Sequence, residues 1–342
     1  MRHLITGGSG FLGSLIARRL LERGEDVTVL DIWEDRSRPA DIRFINCDIL
    51  DREGVARAMS GIDVVHHNVA LVPLTKSGEK FWDVNVEGSR IAAEEAVNAG
   101  VQGFVHMSSS AVFGIPDRLP ITTDSPTEPV EIYGRAKLAG EIVVRETLQR
   151  AGMPPIVIRP RTILGEARLG IFQILFQWIV ENRNVYTIGK GGGPFQFVHA
   201  DDLMDAYMLV LDCEKPGDYN VGTDRFGTLR QALQNLIEHA NSTSKVRALP
   251  ERASITGLRM LDAMNLSPLA PWHYLTYSHP FYFDTTPLRD MGWSATYSND
   301  EMLATSYDWF VAHPEQITGQ SDASAHRKAV PQKALALLKK FS

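Results

Sequence analysis

Residues 6–13 read TGGSGFLG and lie between two patterned segments. An apolar run at 2–5 predicts a strand before them, and helical periodicity at 11–22 predicts a helix after them. In such a turn Gly7 permits the tight bend, Gly10 lets the backbone approach a pyrophosphate, and Gly13 lets helix and strand pack closely. The anion then lies at the helix N-terminus, where free N–H groups point at it. The stretch therefore predicts a dinucleotide site.

Strand-like and helix-like segments alternate through the first half of the chain. Short β-branched or apolar runs predict strands at 2–5, 26–30, 43–47, 64–67, 104–107 and 156–158. Helical periodicity predicts helices at 11–22, 52–59, 80–99 and 133–149. This order predicts an α/β fold, a doubly wound parallel (Rossmann) sheet with ligands at the carboxyl ends of its strands.

Beyond Arg159-Pro160 the alternation becomes less regular. A helix is predicted at 171–182, a glycine-rich link at 189–193, a second helix at 201–212 and one more core strand at 219–222. We therefore expect a nucleotide-binding domain from 1–165 plus about 195–222. A smaller, discontinuous substrate lobe would comprise about 166–194 and 223–318. Residues 319–342 would form a polar and basic tail. Within that tail, 332–341 pairs Leu and Ala with three lysines, which favours a frayed surface helix over a membrane-surface contact.

Composition limits the classes of partner. The 342 residues contain 35 Lys and Arg against 41 Asp and Glu, with no large block of one sign, which favours small molecules over nucleic acid. The two cysteines, Cys47 and Cys213, lie far apart without CxxC spacing, so neither a disulfide framework nor a metal site is predicted. The first strand pattern begins at residue 2, and the apolar-rich stretch 169–180 is too short to span a bilayer. A cytoplasmic location is expected.

A carboxylate ends the second predicted strand. Asp31 is placed to accept hydrogen bonds from the adenosine ribose and to repel a 2′-phosphate, which favours NAD over NADP. Arg36 and Arg38 follow closely and leave NADP open.

Tyr133 and Lys137 are four residues apart and fall on one helix face. By itself the pair fits a solvated face as well as a site, but Ser108, Ser109 and Ser110 follow a strand that ends at the same edge of the sheet. To take an alcohol proton near neutral pH, a tyrosine pKa must fall by roughly three units, about 4 kcal/mol. An ammonium about 4 Å away, at an effective dielectric constant near 20, supplies about that much. Lys137 is therefore predicted to lower the Tyr133 pKa, while a serine hydroxyl holds the substrate oxygen.

The chain resembles the extended short-chain dehydrogenase/reductases, in the NAD-dependent epimerase/dehydratase group, over about residues 1–313. The resemblance rests on ordered motifs: 6–13, Asp48-Ile49, 67–70, 85–88, 108–114, 133–137, Arg159-Pro160, 197–202 and 219–222. It implies that Tyr133 is the acid/base, that Lys137 binds the nicotinamide ribose, and that Ser109 takes the catalytic Ser/Thr position. It also implies a homodimer built on helices 80–99 and 133–149, and a structural role for His67.

The same resemblance supplies the remaining site residues. Cofactor contacts are expected from Gly7, Gly10, Phe11, Leu12, Gly13, Asp31, Asp48, Ile49, Val69, Ala70, Asn85, Ser108, Tyr133, Lys137 and Pro160. Substrate contacts are expected from Ser109, Ser110 and Thr162.

Departures from the family pattern narrow the expected reaction. Dehydratases of the family place an Asp-Glu pair directly after the catalytic Ser/Thr, and decarboxylating members place a glutamate at the second of these two positions. This chain has Ser110 and Ala111 there. The first hypothesis is therefore a sugar epimerase, on a nucleotide-activated sugar. Two alternatives stay open: a net dehydrogenase or reductase of an apolar or hydroxysteroid-like alcohol, and a non-catalytic NAD-binding regulator.

The apolar alternative arises because the family's diphosphate-binding arginines are missing. Residues 194–196 are Pro-Phe-Gln where one is common, and an aromatic stretch at 272–282 occupies the region of another. Thr162 also replaces a frequent substrate-contacting asparagine. Four basic residues could compensate, although the sequence does not place them: Arg161, Arg168, Lys190 and Arg259.

Overall fold

The structure is a computed structural model that describes residues 1–72, 78–264, 267 and 269–315. The tail predicted at 319–342 lies outside the described residues. Within them, no helix combines the length and apolar character needed to cross a bilayer.

Strands and helices alternate as the sequence predicts. The strands are β1 (Arg2–Thr6), β2 (Asp26–Asp31), β3 (Arg43–Asn46), β4 (Val64–His67), β5 (Gly103–Met107), β6 (Ile156–Pro160), β7 (Thr162–Leu164), β8 (Val185–Ile188), β9 (Phe197–His199), β10 (Gly217–Val221) and β11 (Val246–Leu249). The helices are α1 (Phe11–Glu22), α2 (Arg52–Met59), α3 (Lys80–Trp82), α4 (Gly88–Asn98), α5 (Ile132–Arg150), α6 (Phe172–Val180), α7 (Ala200–Asp212), α8 (Leu229–His239), α9 (Glu251–Ala263), α10 (Pro271–Thr276), α11 (Thr286–Asp290) and α12 (Asn299–Ala312).

Seven parallel strands form the central sheet in the order β3-β2-β1-β4-β5-β6-β10. The strand order reverses between β1 and β4, and in such a sheet the ligand crevice opens at that reversal, beyond the carboxyl ends of the strands. The predicted doubly wound fold is confirmed. Two smaller parallel pairs, β7-β9 and β8-β11, lie outside this sheet.

Separate apolar layers cover the two faces of the central sheet. On one face α1 and α7 pack through Ile16, Leu20, Leu203 and Tyr207. On the other, α2, α4 and α5 pack through Val55, Met59, Ile91, Ala92, Val144 and Leu148. A third cluster joins α6, α8 and α12 through Phe172, Phe176, Leu233, Leu236 and Phe310.

The helix predicted at 80–99 is interrupted. Between α3 and α4 the backbone forms a π-helical turn at Asp83–Glu87. Such turns are rare and usually occur as single-turn bulges within α-helices. Here the turn lies against α5, where Gly140 packs so closely that a Cβ atom would lie 2.1 Å from the Asn85 carbonyl oxygen.

We predict that Gly140→Ala lowers the free energy of unfolding by about 2 kcal/mol, because the new methyl group overlaps fixed backbone. Gly257→Ala is the matched control: that glycine lies within α9 with no neighbouring atom inside 4 Å. The control should gain about 0.5–1 kcal/mol from helix propensity alone. Urea denaturation measures both, and equal effects of the two substitutions would contradict the close packing of α5.

Candidate active site

A cleft of about 580 Å³ opens along the carboxyl ends of the central strands. It is lined by most of the residues that the sequence nominates: Gly7, Gly10, Phe11, Leu12, Asp31, Asp48, Ile49, Val69, Ala70, Ser108, Ser109, Ser110, Tyr133, Lys137, Pro160 and Thr162. Gly13 and Asn85 are not among the lining residues.

The glycine turn between β1 and α1 leaves no room for side chains. Gly7 has φ +71°, and a Cβ atom there would lie 2.9 Å from the Val69 backbone nitrogen. Under the turn, a Cβ atom on Gly13 would lie 2.2 Å from the Gly7 carbonyl oxygen. Because the turn must stay this compact, the N-terminus of α1 faces the cleft with bare backbone, as the pyrophosphate of a dinucleotide requires.

Asp31 joins the end of β2 to this turn. Its carboxylate accepts hydrogen bonds from the backbone N–H groups of Ser9 at 3.1 Å and Trp33 at 3.3 Å. Burial raises the pKa of Asp31, against these hydrogen bonds. Arg38, one of the two basic residues nearby, is ion-paired with Glu34 at 2.9 Å. The carboxylate is thus fixed where an adenosine ribose would lie.

Tyr133 lies in the first turn of α5 and is placed by the helix cap. The carboxylate of Glu131 accepts hydrogen bonds from the backbone N–H groups of Tyr133 at 2.7 Å and Gly134 at 2.6 Å. One turn further on, the Lys137 side chain is 3% exposed, and its Nζ donates to the Met107 carbonyl at the end of β5 at 2.6 Å. Burial lowers the pKa of Lys137 to about 8.

The acidity of Tyr133 differs from the sequence-based expectation. Burial raises its pKa to about 12, against Ser109 and Arg168, which lower it. The expectation that Lys137 lowers the pKa of Tyr133 is wrong when only the charged groups of the protein are considered. The Lys137 ammonium is directed to the Met107 carbonyl instead. The cation that acts on the phenol is Arg168.

Glu141 lies one turn beyond Lys137, and sequence reasoning missed it. Its carboxylate is 3% exposed and accepts hydrogen bonds from Ser108 Oγ at 2.8 Å and Arg159 Nε at 3.1 Å. Arg159 is also paired with Asp218 at 2.9 Å. Burial alone would raise the pKa of Glu141, but Arg159 and Ser108 hold it below its usual value. The i, i+4 spacing from Lys137 was the available signal.

Two other polar residues of the sequence analysis, Asn85 and His67, form internal hydrogen bonds and do not line the cleft. Asn85, expected beside the cofactor, instead binds both backbone groups of Leu71, accepting from its N–H at 2.8 Å and donating to its carbonyl at 3.2 Å. His67 is hydrogen-bonded to Thr6 Oγ1 at 2.9 Å and Ser89 Oγ at 3.0 Å. Burial lowers the pKa of His67 to about 3, so it is neutral.

The far side of the cleft combines aromatic and basic side chains. Trp272, His273 and Tyr277 line it, so the aromatic stretch borders the cleft as well as packing in the core. Thr162 Oγ1 lies 3.4 Å from the Tyr277 hydroxyl. Of the four candidate basic residues, Arg161 and Arg168 line the cleft, whereas Lys190 and Arg259 are exposed outside it.

Fold and site together define a dinucleotide-dependent enzyme of the short-chain dehydrogenase type. The family model described as "NAD dependent epimerase/dehydratase family" matches residues 3–222, and the chain belongs to that family. An uncharacterized protein of Sinorhizobium fredii is 41% identical over 336 residues, which cover 98% of this chain and 85% of that protein. A UDP-glucose 4-epimerase of Corynebacterium glutamicum is 27% identical over 74% of this chain and 84% of its own length.

A solved structure shows the same fold. The crystal structure of a UDP-glucose 4-epimerase from Thermotoga maritima with UDP-glucose aligns with a TM-score of 0.76 at 22% identity, covering 92% of this chain and 100% of that one. The protein is accordingly an NAD-dependent enzyme of the epimerase/dehydratase class, and the glycine turn and Asp31 fit the cofactor. The roles of individual residues and the homodimer stay predictions.

We predict that Glu141→Gln lowers the free energy of unfolding at pH 7 by about 3 kcal/mol, because it leaves buried Arg159 without one of its counterions. The matched control is Glu146→Gln on the same helix, where Glu146 is 57% exposed and paired with Arg150. The control should lose about 0.5 kcal/mol or less.

The effect of Glu141→Gln should depend on pH. Because the folded state lowers the Glu141 pKa, the carboxylate stabilises the fold above its unfolded pKa, and this contribution is lost as the pH falls through the folded value. Urea denaturation at pH 7 and at steps into the acid range measures this. A difference in the free energy of unfolding between wild type and Glu141→Gln that stays constant down to acid pH would contradict an ionised Glu141.

Proposed function

We propose that the protein is an NAD-dependent epimerase of a nucleotide sugar, which inverts one hydroxyl-bearing carbon by transient oxidation and re-reduction. The observation that supports this most is the grouping of Tyr133, Ser109 and Lys137 on one cleft with the glycine turn. The curated relative of known activity described above is a 4-epimerase, which favours carbon 4 of the sugar.

The hydroxyl groups are arranged for proton transfer. Ser109 Oγ accepts the Ala111 N–H at 3.2 Å, so the Ser109 hydroxyl proton remains free to be donated to Tyr133 or to a substrate oxygen. Tyr133 would take the proton of the substrate hydroxyl during oxidation and return it during reduction. When bound, NAD supplies the hydride acceptor and adds a positive charge that favours the tyrosinate.

The positions of the acidic residues argue against elimination and decarboxylation. Among the described residues that line the cleft, the carboxylates are Asp31 and Asp48. Asp31 is the last residue of β2 and Asp48 follows β3, both at the cofactor end. Next to Ser109, the chain has Ser110, whose Oγ accepts a hydrogen bond from Arg161 at 3.1 Å, and the buried Ala111. Proton and hydride transfer are the chemistry that these groups supply.

A second candidate is the net dehydrogenation of an apolar alcohol, which the aromatic side chains Trp272 and Tyr277 in the cleft favour. The two arginines of the cleft, Arg161 and Arg168, oppose it, because an apolar substrate leaves their charges without a partner. Incubation with UDP-glucose or UDP-galactose separates the two. Epimerisation interconverts the sugars with no net change at the NADH absorbance band, whereas net oxidation of an alcohol accumulates NADH.

We predict that Tyr133→Phe reduces epimerase turnover by about 10²- to 10⁴-fold, because the phenol supplies acid/base catalysis. Tyr282→Phe is the matched control, since Tyr282 does not line the cleft. Both variants should keep the wild-type melting temperature and the bound cofactor. Full turnover by Tyr133→Phe would refute the assignment of Tyr133 as the acid/base.

We predict that Asp31→Asn weakens NAD binding by about tenfold, because a charged hydrogen-bond acceptor is replaced by a neutral amide. The same substitution should reduce the preference of the protein for NAD over NADP. Asp41→Asn, at an exposed position, is the control. Titration of the cofactor-free protein with each dinucleotide measures both constants. An unchanged ratio of the two constants would show that Asp31 does not face the ribose.

A further inference from the structure

A buried cation lies directly beside the serine segment of the cleft. Arg161 follows β6, lines the cleft and is 2% exposed. No carboxylate in residues 1–72, 78–264, 267 and 269–315 forms an ion pair with it, whereas its neighbour Arg159 is paired with both Glu141 and Asp218. Burial lowers the pKa of Arg161 to about 9, so the side chain is charged at neutral pH.

Neutral groups fix the direction of the Arg161 guanidinium. Its central carbon lies 4.0 Å from the centroid of the Phe281 ring. Nε donates to the Gln196 carbonyl at 3.0 Å, and Nη1 donates to Ser110 Oγ at 3.1 Å. Because the guanidinium is planar, the ring and the two hydrogen bonds together set its plane and its donors. Ser110 therefore receives a hydrogen bond from a cation of fixed orientation.

Gln196, which anchors this cation, is itself held on both sides of its amide. It is 0% exposed, its Nε2 donates to the Thr223 carbonyl at 2.7 Å, and its Oε1 accepts the Phe283 N–H at 2.9 Å. Residues 194–196 form the segment in which a diphosphate-binding arginine of the family is missing. In this chain the segment supports Arg161 instead.

The hydrogen bond from Arg161 determines what Ser110 can offer a ligand. A serine hydroxyl has one proton to donate, and Ser110 Oγ accepts from Arg161. Within the described parts of the chain no group accepts the Ser110 proton, although the residue is 3% exposed and lines the cleft. A hydroxyl that accepts from a cation is polarised and becomes a stronger donor. The proton of Ser110 is thus left for an acceptor in the cleft.

The oxygen on the reacting carbon is not that acceptor. In the proposed reaction this oxygen becomes a carbonyl, which has two lone pairs. Tyr133 and Ser109 supply a donor for each of them, because the Ser109 hydroxyl accepts the Ala111 N–H and keeps its own proton. The Ser110 proton is therefore directed to a different oxygen of the same substrate.

We propose that Arg161 is a positioning residue, which fixes the Ser110 hydroxyl so that its proton is donated to a sugar oxygen other than the reacting one. This rests on the proposed function, in which Tyr133 and Ser109 hold the reacting oxygen. The arrangement also selects the substrate class. A hydroxyl or other neutral oxygen can accept the Ser110 proton, whereas an ammonium group on the sugar would meet a donor backed by an uncompensated positive charge.

The test is a double-mutant cycle on the NAD-loaded protein, with initial rates of conversion of UDP-galactose into UDP-glucose. Ser110→Ala and Arg161→Met should each raise KM by about tenfold, as expected for one charge-assisted hydrogen bond. The double variant should also raise KM by about tenfold rather than a hundredfold, because both substitutions remove the same interaction. The turnover number should change by less than about twofold, since the bonded oxygen does not react.

Ser306→Ala is the matched control, because Ser306 is a buried serine of α12 that does not line the cleft. It should leave KM and turnover at their wild-type values. A hundredfold rise in KM for the double variant would show that Arg161 and Ser110 act independently, and would overturn the proposal. An unchanged KM in Ser110→Ala would overturn it as well. A loss of turnover with unchanged KM in Arg161→Met would assign the arginine a structural role instead.

Arg161→Lys is a second variant, which keeps a positive charge in the cleft and covers the case in which Arg161→Met does not fold. Lysine lacks the planar donor set that reaches both Ser110 and the Gln196 carbonyl. We expect a rise in KM smaller than that of Ser110→Ala, and none when Ser110 is already alanine. A further rise in the Ser110→Ala background would contradict an action through Ser110.

Failure of the proposed function gives a different result from failure of this inference. If wild type interconverts no UDP-sugar but accumulates NADH with an alcohol, epimerisation is refuted. The same cycle is then measured on the KM of that alcohol. A shared tenfold rise in all three variants would still support Arg161 as the positioning residue of Ser110, and additive rises would overturn it.

Discussion

The contact between Gly13 and the Gly7 carbonyl is the constraint on which the cofactor end of the cleft depends. A side chain at position 13 would occupy the space of the carbonyl, 2.2 Å away, so α1 could no longer begin directly beneath the turn. The glycine turn also supplies the Ser9 N–H, which donates to the Asp31 carboxylate at the end of β2. Backbone packing thus fixes an anion-binding helix terminus and a ribose acceptor relative to each other.

The opposite end of the cleft depends on buried charge. Asp31 and Asp48 lie at the cofactor end, whereas Lys137 and Arg161 line the cleft beside Tyr133 and Ser110. Beneath them, Glu141 and Asp218 are ion-paired with buried Arg159. The adenosine ribose of bound NAD would present hydroxyl donors to the Asp31 carboxylate.

Much of this arrangement follows from patterns that the sequence displays directly. The glycine turn, the alternating strands and the spacing of Tyr133 and Lys137 depend on local residue types, and each lies where the patterns predict. The π-helical turn at Asp83–Glu87 could not be read in this way, because the residue that packs against it, Gly140, lies on another helix far along the chain. The position of Arg168 depends on the φ +60° of Ala167, which no periodicity encodes. The expected lowering of the Tyr133 pKa was wrong because spacing places Lys137 on the same helix face but does not reveal that its ammonium donates to the Met107 carbonyl.

The central claim is that the cleft moves a hydride out of the substrate and back again. The most direct measurement follows deuterium at C4 of UDP-glucose through turnover in ordinary water with stoichiometric NAD. Transient oxidation predicts that the epimerised product retains deuterium at the inverted carbon and that the cofactor ends as NAD. Replacement of the label by solvent hydrogen would mean that the carbon is inverted through a proton rather than a hydride, and would contradict the account.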